Sequence, residues 1–196
     1  ELEIFDKATI WRKYIHNLTK NYIKDNILEV GAGLGSFTTS YFKNFQNLTL
    51  TELDENNIKI LKKKFSQNKN IVVNSKHINE LEGKFNTIIY LNVLEHIQKD
   101  LDEINNALNK LNIGGHLIIL VPAHQNLYSK FDEAIGHCRR YSIDFFEPNK
   151  FKNTKIEKLI FLDFFGYILY FLNKIFFKDE IYPSKFKIFI WDKIFS

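Results

Sequence analysis

The chain has 196 residues, of which 45% are hydrophobic, 26% charged and 15% aromatic, a composition that fits one globular domain and excludes a disordered, collagen-like or coiled-coil chain. Its 27 basic and 23 acidic residues leave a net charge of +4, too balanced to mark a nucleic-acid-binding protein. The single cysteine, Cys138, can form no internal bridge and has no second thiolate for a zinc cluster, which favours a reducing compartment, the cytoplasm. Glu1 is not an initiator residue, and no signal-peptide pattern is visible.

The pattern predicts an amphipathic N-terminal helix over residues 7–22, then an alternation of strands and helices up to Pro122. Apolar or alternating runs at 26–30, 47–51, 71–73, 87–91 and 116–121 read as strands. Between them, 36–44, 56–65 and 100–111 read as helices, the last with Leu101, Ile104, Leu108 and Leu111 on one stripe. Such alternation means βαβ units and a parallel α/β sheet. Gly114 and Gly115 are expected to stop the last helix. The triple lysine Lys62, Lys63 and Lys64 reads as a solvated helix face.

After Pro122 the period is lost, and residues 123–142 read as a functional loop after a strand. A further strand is expected at 155–162 and an aromatic helix at 164–177, too short and too polar at its ends for a membrane span. One domain follows, 1–196, made of an N-terminal helix (1–25), a core (26–122) and an acceptor loop with an aromatic C-terminal cover (123–196).

The informative segment is Ile27-Leu28-Glu29-Val30-Gly31-Ala32-Gly33-Leu34-Gly35-Ser36, a strand running into a glycine turn and a helix start. Glycines allow a sharp turn and close approach of a ligand, and free N–H groups at a helix start attract a carboxylate or phosphate. Glu52 follows the second strand, where a carboxylate can accept hydrogen bonds from two ribose hydroxyls. Two details choose between cofactors. The third glycine, Gly35, gives G-x-G-x-G rather than the dinucleotide spacing, and Glu29 stands two residues before Gly31. A negative group there repels a pyrophosphate and suits a ligand carrying an ammonium and a sulfonium, as S-adenosyl-L-methionine does.

From about Trp11 to Tyr141 the chain resembles the class I S-adenosylmethionine-dependent methyltransferases. Glu29 to Gly35 is similar to the family's first motif, and Glu52 falls where its ribose-binding acid sits. The run Phe85-Asn86-Thr87-Ile88-Ile89-Tyr90-Leu91-Asn92-Val93-Leu94-Glu95-His96-Ile97 is similar to the fourth-strand motif, and Leu111-Asn112-Ile113-Gly114-Gly115 to the fifth, with Ile113 in place of the usual proline. The resemblance implies a Rossmann-like, doubly wound, mostly parallel sheet in a three-layer α/β/α sandwich. It also implies S-adenosyl-L-methionine held by Glu29, Gly31, Ala32, Gly33 and Gly35 at the methionine end, Glu52 on the ribose and Leu53 against the adenine. His77 or the backbone of Ile78 would read the adenine, His77 replacing the family's frequent aspartate, and Asn92 would border the transferable methyl. The structural alternative makes Asn92 and Glu95 caps of the following helix. The family's seventh strand is not evident before Ser196.

Methyl transfer from a sulfonium is an in-line displacement that needs alignment and a dry pocket rather than a metal. A hydroxyl acceptor would profit from a base, and His124 and His137 lie in the loop after the fifth strand, where acceptors approach. Tyr128 is a third catalytic candidate, and Tyr128, His137, Arg139, Arg140 and Tyr141 are expected to line the acceptor pocket, the arginines suiting a carboxylate or phosphate. Alternatively the arginines pair with Asp132, Glu133 or Asp144 and hold the loop closed. His96 and His116 read as structural. The expected acceptor is a small molecule, a saccharide or a lipid-linked compound, methylated at oxygen. The aromatic segment from Phe161 serves as core, as a homodimer surface or as a peripheral contact with the inner membrane. A nucleic-acid amino-methyltransferase is disfavoured, because Leu91-Asn92-Val93-Leu94-Glu95 stands where such enzymes carry an Asn/Asp-Pro-Pro-Tyr/Phe sequence. The competing classes are an NAD-dependent oxidoreductase, which the glycine spacing opposes, and a noncatalytic cofactor-binding or membrane-interface module.

Overall fold

In the computed structural model, which describes residues 8–147, 150–162, 167, 189 and 191–193, five strands form one parallel sheet. They are β1 (Ile27–Val30), β2 (Leu48–Thr51), β3 (Ile71–Asn74), β4 (Phe85–Leu91) and β5 (Leu111–Leu120), in the order β3-β2-β1-β4-β5. β1 is central, with Ile27 opposite Leu48 on one side and Thr87 on the other. The chain order reverses between β1 and β4. Crevices at such a switch point, outside the carboxyl ends of the strands, are where open α/β sheets bind ligands.

Successive residues of β1 and β4 point to opposite faces, as strand geometry requires. On one face Leu28, Ile88 and Tyr90 pack with Ile104 and Ala107 of helix α3 (Asp100–Lys110). On the other, Ile27, Leu48 and Ile89 meet Ile15 of helix α1 (Thr9–Thr19), together with Phe37 and Tyr41. Leu61 of helix α2 (Glu55–Lys64) and the adjacent Phe65 cover Leu50 and Ala32. Each fully buried aliphatic of this set contributes roughly 1.5–3 kcal/mol of transfer free energy. The result is the expected three-layer α/β/α arrangement.

The helix ends follow from their sequences. The Asp54 carboxylate accepts from the N–H groups of Asn56 and Asn57, and Lys62, Lys63 and Lys64 sit exposed in the last turn of α2, where their charge complements the helix dipole. α1 has no capping side chain of its own at Ala8. Its first N–H groups, those of Ile10 and Trp11, donate instead to the Asp192 carboxylate at 3.3 and 2.8 Å, and Trp191 packs on Trp11 with ring centroids 5.0 Å apart.

Three expectations are corrected. Residues 36–44 form two 3-10 turns, Thr38–Ser40 and Phe42–Asn44, rather than an α-helix. The reason is that Thr38 and Tyr41 turn inward to bond a buried carboxylate. Gly114 and Gly115 do not stop α3: it ends at Lys110, Leu111 is already extended, and the glycines lie inside the β5 span, with a register irregularity opposite Phe85 and Thr87. Residues 155–162 are not paired as a strand. The aromatic helix expected over 164–177 lies outside the described residues apart from Tyr167, and no helix among those described is long and apolar enough to cross a membrane.

Candidate cofactor and acceptor site

The carboxyl ends of β1, β2, β4 and β5 come to one edge of the sheet. Past Val30 the backbone enters the left-handed region at Gly31 (φ 64°), Gly33 (φ 56°) and Gly35 (φ 69°). Packing demands glycine here as much as conformation does. A Cβ on Gly31 would stand 2.6 Å from Val93 Cγ2, and one on Gly35 would stand 2.7 Å from Phe65 and 2.8 Å from Leu61. Gly35 thus lets the loop close onto α2, the role expected of a third glycine. The loop is tied to β2, since the Ala32 N–H donates to Thr51 O at 2.9 Å.

Glu52 directly follows β2 and reaches this turn with its side chain. Its Oε2 accepts from the Gly33 N–H at 2.8 Å, and its Oε1 from the N–H groups of Leu53 and Asp54 at 2.8 and 3.0 Å. Leu53 is 58% exposed at the rim. Glu29 takes a different position. It is buried beneath the loop, and its Oε2 accepts from Thr38 Oγ1 at 2.7 Å and the Tyr41 hydroxyl at 2.5 Å. Burial pushes its carboxyl up to about 7, the two hydrogen bonds offsetting part of the rise. Glu29 is thus a loop brace rather than an ionised group in contact with a ligand, and its charge is only partly developed near neutral pH.

Asn92 follows β4 in the left-handed region (φ 53°), exposed, its N–H donating to Leu120 O at 2.8 Å. Neither Asn92 nor Glu95 caps the 3-10 turn Leu94–His96 that follows. His77 is exposed and forms a capping box with Glu80, whereas the Ile78 side chain is a core residue at 1% exposure, so any adenine contact at Ile78 falls to its backbone.

The loop after β5 is stitched shut rather than open. Its ends meet in a parallel bridge between Ala123 and Tyr141, with the His124 N–H donating to Tyr141 O and the Tyr141 N–H to Pro122 O. At its centre is Asp132, fully buried in the short helix α4 (Lys130–Ala134). Its carboxylate accepts from His137 Nδ1 at 2.9 Å, from Arg140 Nε and Nη2 at 2.9 and 3.0 Å, and from the Ser129 N–H and hydroxyl. Arg139 pairs with Asp100 at 2.6 Å and donates to Gln98 O, and the Tyr141 hydroxyl donates to Asp100 at 2.9 Å. Tyr141 is buried among Phe145 and Phe146, and burial raises its phenol well above the usual range. Arg140 on Asp132 is the ion pair of the alternative reading, whereas Arg139 takes Asp100, and with Tyr141 these side chains hold the loop onto α3 and α4. Tyr128 likewise donates its hydroxyl to His137 O at 2.6 Å.

The two candidate bases are placed apart in role. The His124 residue is left-handed (φ 66°) in the loop four residues past β5, its ring stacked on Phe161 at 4.9 Å and edge-on to Tyr167 at 4.9 Å. His137 is enclosed, with its ring edge-on to His96 at 4.7 Å and Nε2 3.8 Å from the Glu95 carboxylate. Sequence reading anticipated Asp132 as a partner of the arginines but missed Asp100 as the partner of Arg139 and Tyr141, the burial of Glu95, and Val93 as the side chain that abuts Gly31. The signal for Asp132 was its place five residues before His137 and eight before Arg140. A separate cavity of about 900 Å³ runs along β5, lined by Leu117, Ile119, Phe146, Phe151 and Ile156 among others, and no glycine-loop residue borders it.

A family model described as a methyltransferase domain matches residues 6–151. The chain belongs to this methyltransferase family. Solved structures with the same fold include the YcgJ protein of Bacillus subtilis (TM-score 0.60, 12% identity, covering 68% of this chain and 64% of that one). A putative methyltransferase of Bacillus halodurans gives a TM-score of 0.58 at 14% identity, with the same coverage of 68% and 64%. The N-methyltransferase NodS of Bradyrhizobium japonicum, solved with S-adenosyl-L-homocysteine, gives 0.51 at 20% identity over 58% of this chain and 62% of its own. The methyltransferase chain thus spans less than two thirds of the length of each of these structures. No curated protein matches the sequence.

Proposed function

We propose that this methyltransferase-family chain transfers the methyl group of S-adenosyl-L-methionine to oxygen on a small-molecule, saccharide or lipid-like acceptor. The observation that carries the reading is the left-handed glycine turn of Gly31, Gly33 and Gly35, with the Glu52 carboxylate bound to the Gly33 N–H beside the end of β4. In this reading the glycine backbone borders the methionine portion, Glu52 accepts from the ribose hydroxyls, and the exposed Leu53 is covered by the adenine. Ala32 and Asn92 flank the sulfonium. A cation above the loop draws the Glu29 carboxyl toward its ionised form, whereas a pyrophosphate there would meet a growing repulsion.

The acceptor oxygen attacks the methyl carbon as the carbon–sulfur bond breaks. The thioether leaves neutral, and the hydroxyl proton passes to a base. Holding the two reactants in line can supply roughly 7–11 kcal/mol of the barrier reduction. His124 is the better placed base, beyond the carboxyl end of β5 with an aromatic wall from Phe161 and Tyr167, since the enclosed His137 is engaged with Asp132. The same reading places the protein in the cytoplasm, with its aromatic C-terminal segment at the inner membrane surface or a homodimer contact; the exposure of Phe161 and Phe189 supports that part.

Calorimetric titration tests the cofactor. S-adenosyl-L-methionine should bind and NAD should not, and preferential binding of NAD would overturn the assignment. Incubation with methyl-labelled cofactor and a panel of hydroxyl and amine acceptors tests the oxygen assignment, which label on nitrogen alone would sink. His124→Ala should leave cofactor affinity unchanged and lower turnover by about 10²–10⁴-fold; unaltered turnover removes His124 as the base.

A further inference from the structure

Two imidazoles and a buried carboxyl converge where the 3-10 turn after β4 meets the acceptor loop. Glu95 is 0% exposed, and neither of its carboxyl oxygens has a hydrogen-bond partner among the described residues. A buried carboxyl without a partner is costly, so a fold that retains one calls for a compensating charge or proton. One ligand atom each from Glu95, His96 and His137 lies within 4.8 Å of the other two. Glu95 Oε1 stands 3.8 Å from His137 Nε2, too long for a hydrogen bond.

The outward bonds of both rings are those of metal-binding histidines. His137 Nδ1 faces the Asp132 carboxylate at 2.9 Å and His96 Nδ1 faces Gly136 O at 3.2 Å. Both partners are acceptors, so each Nδ1 carries the proton, and in the neutral ring the other nitrogen presents a lone pair. A carboxylate or carbonyl behind the imidazole is the usual second shell of a ligating histidine, and it fixes both tautomer and ring orientation. Asp132 is itself held by Arg140 and Ser129. The backbone already joins the two segments, with the Cys138 N–H donating to Glu95 O at 2.7 Å.

We propose that Glu95, His96 and His137 bind one divalent transition-metal ion of the zinc class, pinning the acceptor loop to the turn after β4. Two nitrogens and one carboxylate favour zinc over magnesium or calcium, which take mainly oxygen ligands. Bonds of about 2.0–2.2 Å require the three side chains to close by roughly 1 Å. Three protein ligands leave a fourth position for water or an acceptor oxygen. The site goes beyond methyl transfer and does not depend on it.

The test is a titration of chelator-stripped, full-length protein with Co²⁺ and Zn²⁺. One Co²⁺ per chain should bind with the visible absorption of a low-coordinate site, Zn²⁺ should displace it, and an equal concentration of Mg²⁺ should not. Asp132→Asn should weaken metal binding by about 10–100-fold, as second-shell changes do, and Glu95→Gln by more. Wild-type protein that retains no Co²⁺ or Zn²⁺, or that yields its Co²⁺ to Mg²⁺, would overturn the proposal whether or not the variants fold. So would Glu95→Gln and His137→Ala proteins that bind as tightly as wild type. The cofactor titration reads a different ligand, so failure of either reading leaves the other standing.

Discussion

Glu29 and Glu52 flank the same glycine turn and do opposite work. Glu52 is half-buried and accepts three backbone N–H groups around the loop. Glu52→Ala should weaken S-adenosyl-L-methionine by about 1.5–3 kcal/mol, the range of charge-assisted hydrogen bonds, which is roughly 10- to 150-fold in Kd. An unchanged Kd by calorimetry would take Glu52 out of the ribose site. Glu29 is raised from 4.5 to about 7 in the folded protein, so between these values the folded state binds more protons than the unfolded one. Stability from the neutral carboxyl is fully present below 4.5 and is lost as pH rises through about 7, a change on the order of 3 kcal/mol. Urea unfolding of Glu29→Gln should lack that decline, so the wild type loses ground against the variant between about pH 4.5 and pH 8. Parallel stability curves would show that Glu29 is ionised throughout in the ligand-free fold.

At the scale of elements, α1 shows how a helix end can depend on a distant residue. Its first turn has no acidic residue and no capping side chain, and Asp192 supplies the acceptors from more than 180 residues away. Asp192→Ala should lower the free energy of unfolding by about 0.5–2 kcal/mol, the usual cost of losing an N-cap. Chemical denaturation measures it, and no change would mean that Trp191 against Trp11 carries the contact alone. Four strands and α1, α2 and α3 were legible to within a few residues because each pairs a regular apolar period with local turn or cap signals, whereas β5 begins at Leu111, five residues before the expected start. Residues 36–44 were misread because their helical period is outweighed by Thr38 and Tyr41 satisfying buried Glu29. The acceptor loop was read two ways, as a pocket or as closed by its own ion pairs, because a run such as Arg139-Arg140-Tyr141 looks the same whether its charges meet a substrate or Asp100 and Asp132.

For the whole molecule, ligand binding and stability are linked. S-adenosyl-L-methionine at about 100 times its Kd should add about 2.7 kcal/mol, and for a domain of this size each kcal/mol moves the Tm by about 2–4 °C. A rise of roughly 5–10 °C in a thermal melt is therefore expected, and none with NAD; equal shifts with both would contradict the cofactor reading. Residue order alone carries the parallel α/β architecture, the glycine turn and the acid after the second strand. These depend on local periodicity and on residue types that few conformations tolerate. Tertiary structure alone decided which charged side chains remain available to a ligand. Asp132 draws His137 and Arg140 inward, Asp100 draws Arg139 and Tyr141, and the buried Glu95 carboxyl has no hydrogen-bond partner among the described residues. Pairing among groups far apart in the chain is set by packing, and no spacing rule along a strand or helix encodes it.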